Sequence, residues 1–180
     1  MQRGLVRKKL GKRKNSIFNT PVRAAVYAQS KREAKSINQK LSGKSLSEQL
    51  LGIAKKIMEV DRVLQEHVEA RCSVHESHPE LCFLTLFGEP LPFPKRDVLG
   101  VVDRFDLLAE KVSDLRQIIK AIRLKYKVSQ VAGDDILDAC VLTVTAWKGE
   151  GRLLSIPDSP EIDATGLPMA IWFYDFQDRP

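Results

Sequence analysis

No apolar run in the 180 residues approaches the roughly 20 that a helix needs to cross a bilayer, so no membrane partner is expected. The N-terminus is basic, but no apolar stretch follows it, which excludes a secretory signal. Cysteine is scarce. Cys72, Cys82 and Cys140 lie in apolar surroundings without framework spacing. That excludes a disulfide scaffold and points to a reducing, cytoplasmic compartment. There is no internal repeat, no low-complexity segment and no base-reading motif. No nucleophile elbow is present, and Cys140 falls in the core stripe of a helix, so catalysis by a Ser or Cys with a His has no basis. Strands are scarce too: three candidates stand against a typical sheet of roughly 5–6.

What remains is ordinary for one soluble globular domain: 43% hydrophobic and 29% charged residues. The net charge of +6 is unevenly spread. Residues 1–14 carry seven Lys or Arg and no acid, which leaves the rest at −1, the difference between +6 and +7. Residues 1–15 read as a basic N-terminal arm or the end of a broken helix, and 16–180 as a single domain. Such an arm neutralises phosphates without reading sequence. Arg7, Lys8, Lys9, Lys12, Arg13 and Lys14 are therefore candidate nucleic-acid contacts, although a solvated charge run explains them equally well.

Along the chain, Thr20 and Pro21 suit the cap and first position of a helix through AAVYAQSKREAKSINQKL that stops near Gly43. SLSE, residues 45–48, reads as a capping box for a second helix. Its stripe is Leu50, Ile53, Ala54, Ile57, Val60, Leu64 and Val68. Residues 71–77 read as a strand with Cys72, Val74 and Glu76 on one face. Pro79 opens a short helix that ends at Gly88. EPLPFPKRD is a proline-rich loop with Lys95 and Arg96 at its tip, two further candidate phosphate contacts. Residues 98–127 are helical with a break near Ser113. Residues 131–147 read as a buried helix striped by Ile136, Leu137, Cys140, Val141 and Val144, capped by Gly133 or Asp134. Residues 153–156 and 169–174 complete the strand candidates.

Glu76 would end an otherwise apolar strand face, where a carboxylate is costly to bury without a cation or hydrogen bonds. Asp135 and Asp138 are three apart and project to the same side of their helix. Close carboxylates repel, and one pKa rises unless a cation lies between them. The helix macrodipole offsets only part of that repulsion, and Mg²⁺ is usually held by one or two carboxylates plus substrate phosphates. Glu76, Asp135 and Asp138 are therefore candidate catalytic and metal-binding acids. A two-metal site of that kind activates a water and stabilises the leaving oxygen of a phosphodiester. A capping Asp followed by an ordinary acidic first turn explains the same spacing. Cys72, His75, His78 and Cys82 match no closed zinc pattern; buried thiols and a turn histidine account for them.

Five stretches occur in a telling order. They are LGKRKNSIFNTPVRAAV from Leu10, LSEQ leading to KIMEVD ending at Asp61, VHESHPELCF from Val74, DDILDACVLTVTAW from Asp134, and GLPMAIWFY from Gly166. Together they resemble a family of predicted RNase H-like nucleases (domain of unknown function 429), over nearly the whole chain. The resemblance implies an α/β, RNase H-like three-layer fold, a mixed sheet flanked by helices, with acids coordinating Mg²⁺ or Mn²⁺. In that picture Glu76 supplies the mid-chain carboxylate. Asp135 and Asp138 match the closing D-x-x-D-A pattern, and Asp134 is the adjacent acid and a further metal ligand. Family members begin with a strand carrying an aspartate, a hairpin and an Asp-x-Pro-x-Gly-Leu segment. This chain starts after them, so an N-terminally truncated, helix-rich domain with few strands is expected. Its open sheet edge invites a second copy or a partner chain. The expected function is metal-dependent phosphodiester hydrolysis of nucleic acid, weakened by the missing first-strand aspartate. The alternative is a non-catalytic remnant that binds nucleic acid or a protein partner.

Overall fold

The computed structural model describes residues 2–11, 17 and 19–177. Helix α5 (Pro79–Phe87) lies between two of the three cores. Pro79 occupies its first turn, and Gly88 ends it in a left-handed conformation, φ 99°, which glycine adopts without steric cost. Every residue from Glu80 to Leu86 is buried, as befits a helix that is apolar nearly all round. Leu81 and Leu84 face one core, with Val6, Leu10, Ile17, Ile156, Ile171 and Phe173. Cys82, Phe83 and Leu86 face another, with Leu91, Leu108, Leu115, Leu137, Val141 and Val144. The first core lies beneath α1 (Gln2–Leu10) and a small sheet. The second lies among α6 (Val98–Ala109), α7 (Leu115–Lys125) and α8 (Gly133–Lys148).

In the sheet, β1 (Leu154–Ile156) pairs antiparallel with β2 (Ile171–Phe173), with Ser155 opposite Trp172. Ser77 bridges Trp172 in parallel. The Trp172 N–H donates to the Glu76 carbonyl at 2.7 Å, and the Ser77 hydroxyl donates to the Trp172 carbonyl at 2.7 Å. A third core joins α2 (Arg23–Val26), α3 (Lys31–Ser42) and α4 (Glu48–Glu66) through Ala25, Ala34, Leu46 and Leu50. Arg23 pairs with Asp61 and, at 2.5 Å, with Asp163, which ties α2 to α4 and to the loop before β2. Among the described residues the protein is thus α/β and helix-rich, with eight α-helices and one two-stranded sheet.

Some local expectations change. The stretch read as a strand over 71–77 is a 3-10 turn, Val68–Cys72, followed by extended chain that pairs only at Ser77. Arg71 folds back onto the Leu64 carbonyl at 2.6 Å, and the N–H groups of Ser73 and Val74 donate to the Ala70 carbonyl. The backbone groups are satisfied locally, so no ladder is needed. The long helix expected after Pro21 is two helices, with Val22 rather than Thr20 at the first cap. Ser30 restarts it: its hydroxyl accepts from the Glu33 N–H, and the Glu33 carboxylate reaches back to the Gln29 N–H at 2.8 Å. Ser47, not Ser45, caps α4. The stripe expected on α4 does not face a core along its length: Leu50 is buried, but Ile53, Val60 and Val68 are exposed. The α8 stripe buries Ile136, Leu137, Val141 and Val144, yet Ala132, which has no capping group, stands at the cap in place of Gly133 or Asp134.

Candidate functional site

The acids of α8 divide by azimuth. Residues four apart lie about 40° apart around a helix, and neighbours about 100° apart. Asp134 and Asp138, four apart, therefore share a face that also borders Asp135, but Asp135 is exposed. The loop between α5 and α6 delivers Lys95 onto the shared face. Its Nζ lies 3.1 Å from Asp134 Oδ2 and 2.7 Å from Asp138 Oδ2, and Arg96 Nε stands 3.8 Å from Asp134 Oδ2. The two carboxylates are only 13% and 17% exposed. Asp138 Oδ1 is buried and has no hydrogen-bond partner among the described residues.

The two acids are pushed in opposite directions. Burial raises the Asp138 carboxyl above its ordinary range. Lys95 opposes the rise, and the charges of Glu80 and Asp134 add to it. Burial would raise Asp134 as well, but the hydrogen bond and charge of Lys95 outweigh it and the carboxyl is lowered. Burial works against the Lys95 ammonium, yet its two carboxylate partners hold its pKa above the ordinary lysine value. Neighbouring acids displaced in opposite directions are a pattern of acid–base sites and of structural ion-pair networks alike.

The loop is braced from beneath. Arg104 of α6, 1% exposed, donates to the Gly100 carbonyl at 2.8 Å and the Phe93 carbonyl at 3.2 Å, and it pairs with Glu80 of α5 at 2.7 Å. Leu91 is buried at the other end of the loop. Gly100 lets the loop lie against α6, because a Cβ there would stand 1.9 Å from the Pro94 carbonyl oxygen. Glu80 and Arg104 were not singled out by the sequence reading. Their signal was a lone acid in the apolar helix ELCFLTLF and a lone arginine in the apolar run VLGVVDRFDLLA, each needing an opposite charge once buried.

The other expected site residues lie apart from this pair. The Glu76 side chain is exposed, and its carbonyl serves the sheet. Among the described residues no three His, Cys, Asp or Glu side chains gather as they would to hold a metal. Cys72 is exposed, Cys82 is fully buried, and His75 stacks on Trp172 with ring centroids 4.6 Å apart. In the basic segment, α1 buries Val6 and Leu10. Arg7 donates to the Ile17 carbonyl at 3.1 Å, and Lys9 sits 4.7 Å from the Phe173 ring centroid. Lys8 is exposed. Lys12, Arg13 and Lys14 lie outside the described residues.

The family model described as Protein of unknown function (DUF429) matches residues 4–162. The chain belongs to the DUF429 family. No curated protein and no solved structure matches it. The DUF429 match contains Lys95, Asp134 and Asp138, and with them the bracing pair Glu80 and Arg104. Among the described residues of this DUF429 chain, no helix is long and apolar enough to cross a membrane.

Proposed function

We propose that this DUF429 protein hydrolyses nucleic-acid phosphodiesters with a divalent cation, Mg²⁺ or Mn²⁺, on an RNase H-like framework. The observation that carries the reading is the buried, unpartnered Oδ1 of Asp138, with a second carboxylate one turn away and a cation already drawn between the two. The residues present fit a hard cation. Mg²⁺ is usually held by one or two carboxylates, with waters and substrate phosphates completing the octahedron. Asp138 and Asp134 would hold it, and when bound it activates a water and stabilises charge on the leaving oxygen. A bound metal would take over the place Lys95 now holds between the carboxylates, and Lys95 and Arg96 would then orient a phosphate beside it. Glu80 and Arg104 keep the loop that carries those charges in register. This reading assigns the chemistry to Asp134 and Asp138 rather than to Glu76 and Asp135.

One observation favours a second reading: Lys95 already pairs with both carboxylates. The cluster then acts as a structural clamp in a module that binds nucleic acid or a partner chain without cleaving. Mn²⁺-dependent cleavage of labelled single- and double-stranded DNA and RNA separates the two. Cleavage by the wild type that disappears in Asp138→Asn supports the hydrolase. Cleavage that survives Asp138→Asn removes the assigned site, and no cleavage by the folded wild type favours the clamp.

A further inference from the structure

Helix α7 carries Arg116, Lys120, Arg123 and Lys125 and no acid. Positions 116, 120 and 123 follow the i, i+4, i+7 spacing of one helical face. Among the described residues no carboxylate forms an ion pair with any of the four. The charges expected on α1 are in part engaged internally, whereas on α7 Arg116, Lys120 and Lys125 are exposed and Arg123 is half-buried.

A cavity of about 310 Å³ opens beside this face. Its apolar wall includes Val101, Phe105 and Ile119; Arg116 and Arg123 stand at it, and Asp134 lines it as well. The Arg116 guanidinium lies 5.4 Å from the Phe105 ring centroid. Arg123 is anchored by donation to the Val131 carbonyl. Asp134 is shared between this cavity and the Lys95 cluster.

We infer that this face docks single-stranded nucleic acid, with phosphates along Arg116, Lys120 and Arg123 and one unstacked base in the cavity against Phe105. The inference rests on the hydrolase reading and names its substrate class. Sequence-tolerant binding of single strands combines a cationic track with aromatic surfaces for bases. A paired base cannot enter this open-sided cavity without leaving its stack, which is why the duplex is disfavoured.

The test is fluorescence anisotropy of a labelled single strand of about 12 nucleotides, in EDTA so that no cleavage intervenes. The same strand as a duplex and vesicles of anionic phospholipid serve as competitors. Arg116→Gln with Lys120→Gln removes two exposed cations. It should weaken binding about tenfold at low salt and make the salt slope shallower by about 1.4, since each phosphate contact on a single strand is worth about 0.7. Phe105→Leu keeps the wall apolar and should weaken binding by about tenfold through lost stacking. Lys55→Gln with Lys56→Gln, two exposed lysines on α4, should change binding less than twofold. The docking face is overturned by equal binding of wild type and the α7 variant, by an equal loss in the α4 control, by a duplex that binds more tightly than the single strand, or by vesicles that bind in its place. If the α7 variant loses binding and the wild type cleaves nothing with Mn²⁺, the docking face stands and the hydrolase reading falls. If Asp138→Asn abolishes cleavage while the α7 variant binds normally, the docking face alone falls.

Discussion

Replacing Asp163 by Asn should lower the stability of the protein at neutral pH and have progressively less effect in acid. Asp163 Oδ1 accepts hydrogen bonds from the Thr165 N–H and hydroxyl, both at 2.8 Å, and from the Leu167 N–H at 2.9 Å, and its Oδ2 lies 2.5 Å from Arg23. Burial pushes the carboxyl up. The Leu167 N–H, the Thr165 hydroxyl, Arg23 and the Thr165 N–H outweigh it and bring the pKa from 3.8 down to about 2. At about 1.36 kcal/mol per pKa unit, that difference is close to 2.4 kcal/mol. The side chain is 22% exposed, so solvent screening trims the expectation to about 2 kcal/mol. A carboxyl depressed by folding stabilises the protein fully above its unfolded pKa and loses that contribution as pH falls toward the folded value. About half should be gone by pH 3. Asn keeps an acceptor for the three local hydrogen bonds and removes only the charge. Urea unfolding of wild type and Asp163→Asn at pH 7 and pH 3 measures both quantities. A loss at pH 3 as large as that at pH 7 would refute the electrostatic reasoning, and so would no loss at pH 7.

Gly100→Ala should destabilise the protein by about 1–3 kcal/mol, as overpacking does, because the new Cβ meets the Pro94 backbone at 1.9 Å; a denaturation midpoint equal to wild type would contradict the close approach. Arg104→Met should cost about 3–5 kcal/mol by leaving Glu80 charged and buried without its partner, while Arg104→Met combined with Glu80→Leu should recover much of that loss. A double variant as unstable as the single one would show that the pair matters for shape rather than charge. Asp138→Asn should abolish Mn²⁺-dependent cleavage and Asp135→Asn should leave it near the wild-type rate, since Asp135 is exposed and outside the Lys95 cluster. Loss of cleavage in both variants in a single-turnover assay would return the chemistry to the 135–138 pair.

Much of the local structure was legible because its causes are local. Pro79 and Gly88 bound α5 as their φ preferences require, and the spacing of Ile136, Leu137, Val141 and Val144 marks the buried face of α8. The scarcity of strand candidates matches a sheet of two short strands among the described residues. The stripe of α4 misled for the opposite reason. Periodicity shows that a helix has an apolar side, but burial depends on whether another element arrives to cover it, and Ile53, Val60 and Val68 remain exposed. The strand expected over 71–77 failed because Arg71 found partners within its own neighbourhood, an alternative that alternation of side chains does not reveal.

At the site, residue spacing singled out Asp135 and Asp138 together with Glu76, the family resemblance added Asp134, and the sequence placed Lys95 and Arg96 on a proline-rich loop. Spacings of three and four are both compatible with a shared helical side, so they did not choose between Asp135 and Asp134 as the partner of Asp138. That choice came from the direction in which Lys95 approaches, and the direction is set by contacts far apart in the chain: Leu91 buried in the helical core, Gly100 against Pro94, and Arg104 between Glu80, Phe93 and Gly100. Caps, breakers and apolar periodicity act within a turn or two of chain and can be read in one dimension. Which charged groups meet, which are desolvated and which carboxylate oxygen is left without a partner depend on packing among α5, α6 and α8, and only the folded arrangement of those helices decides them.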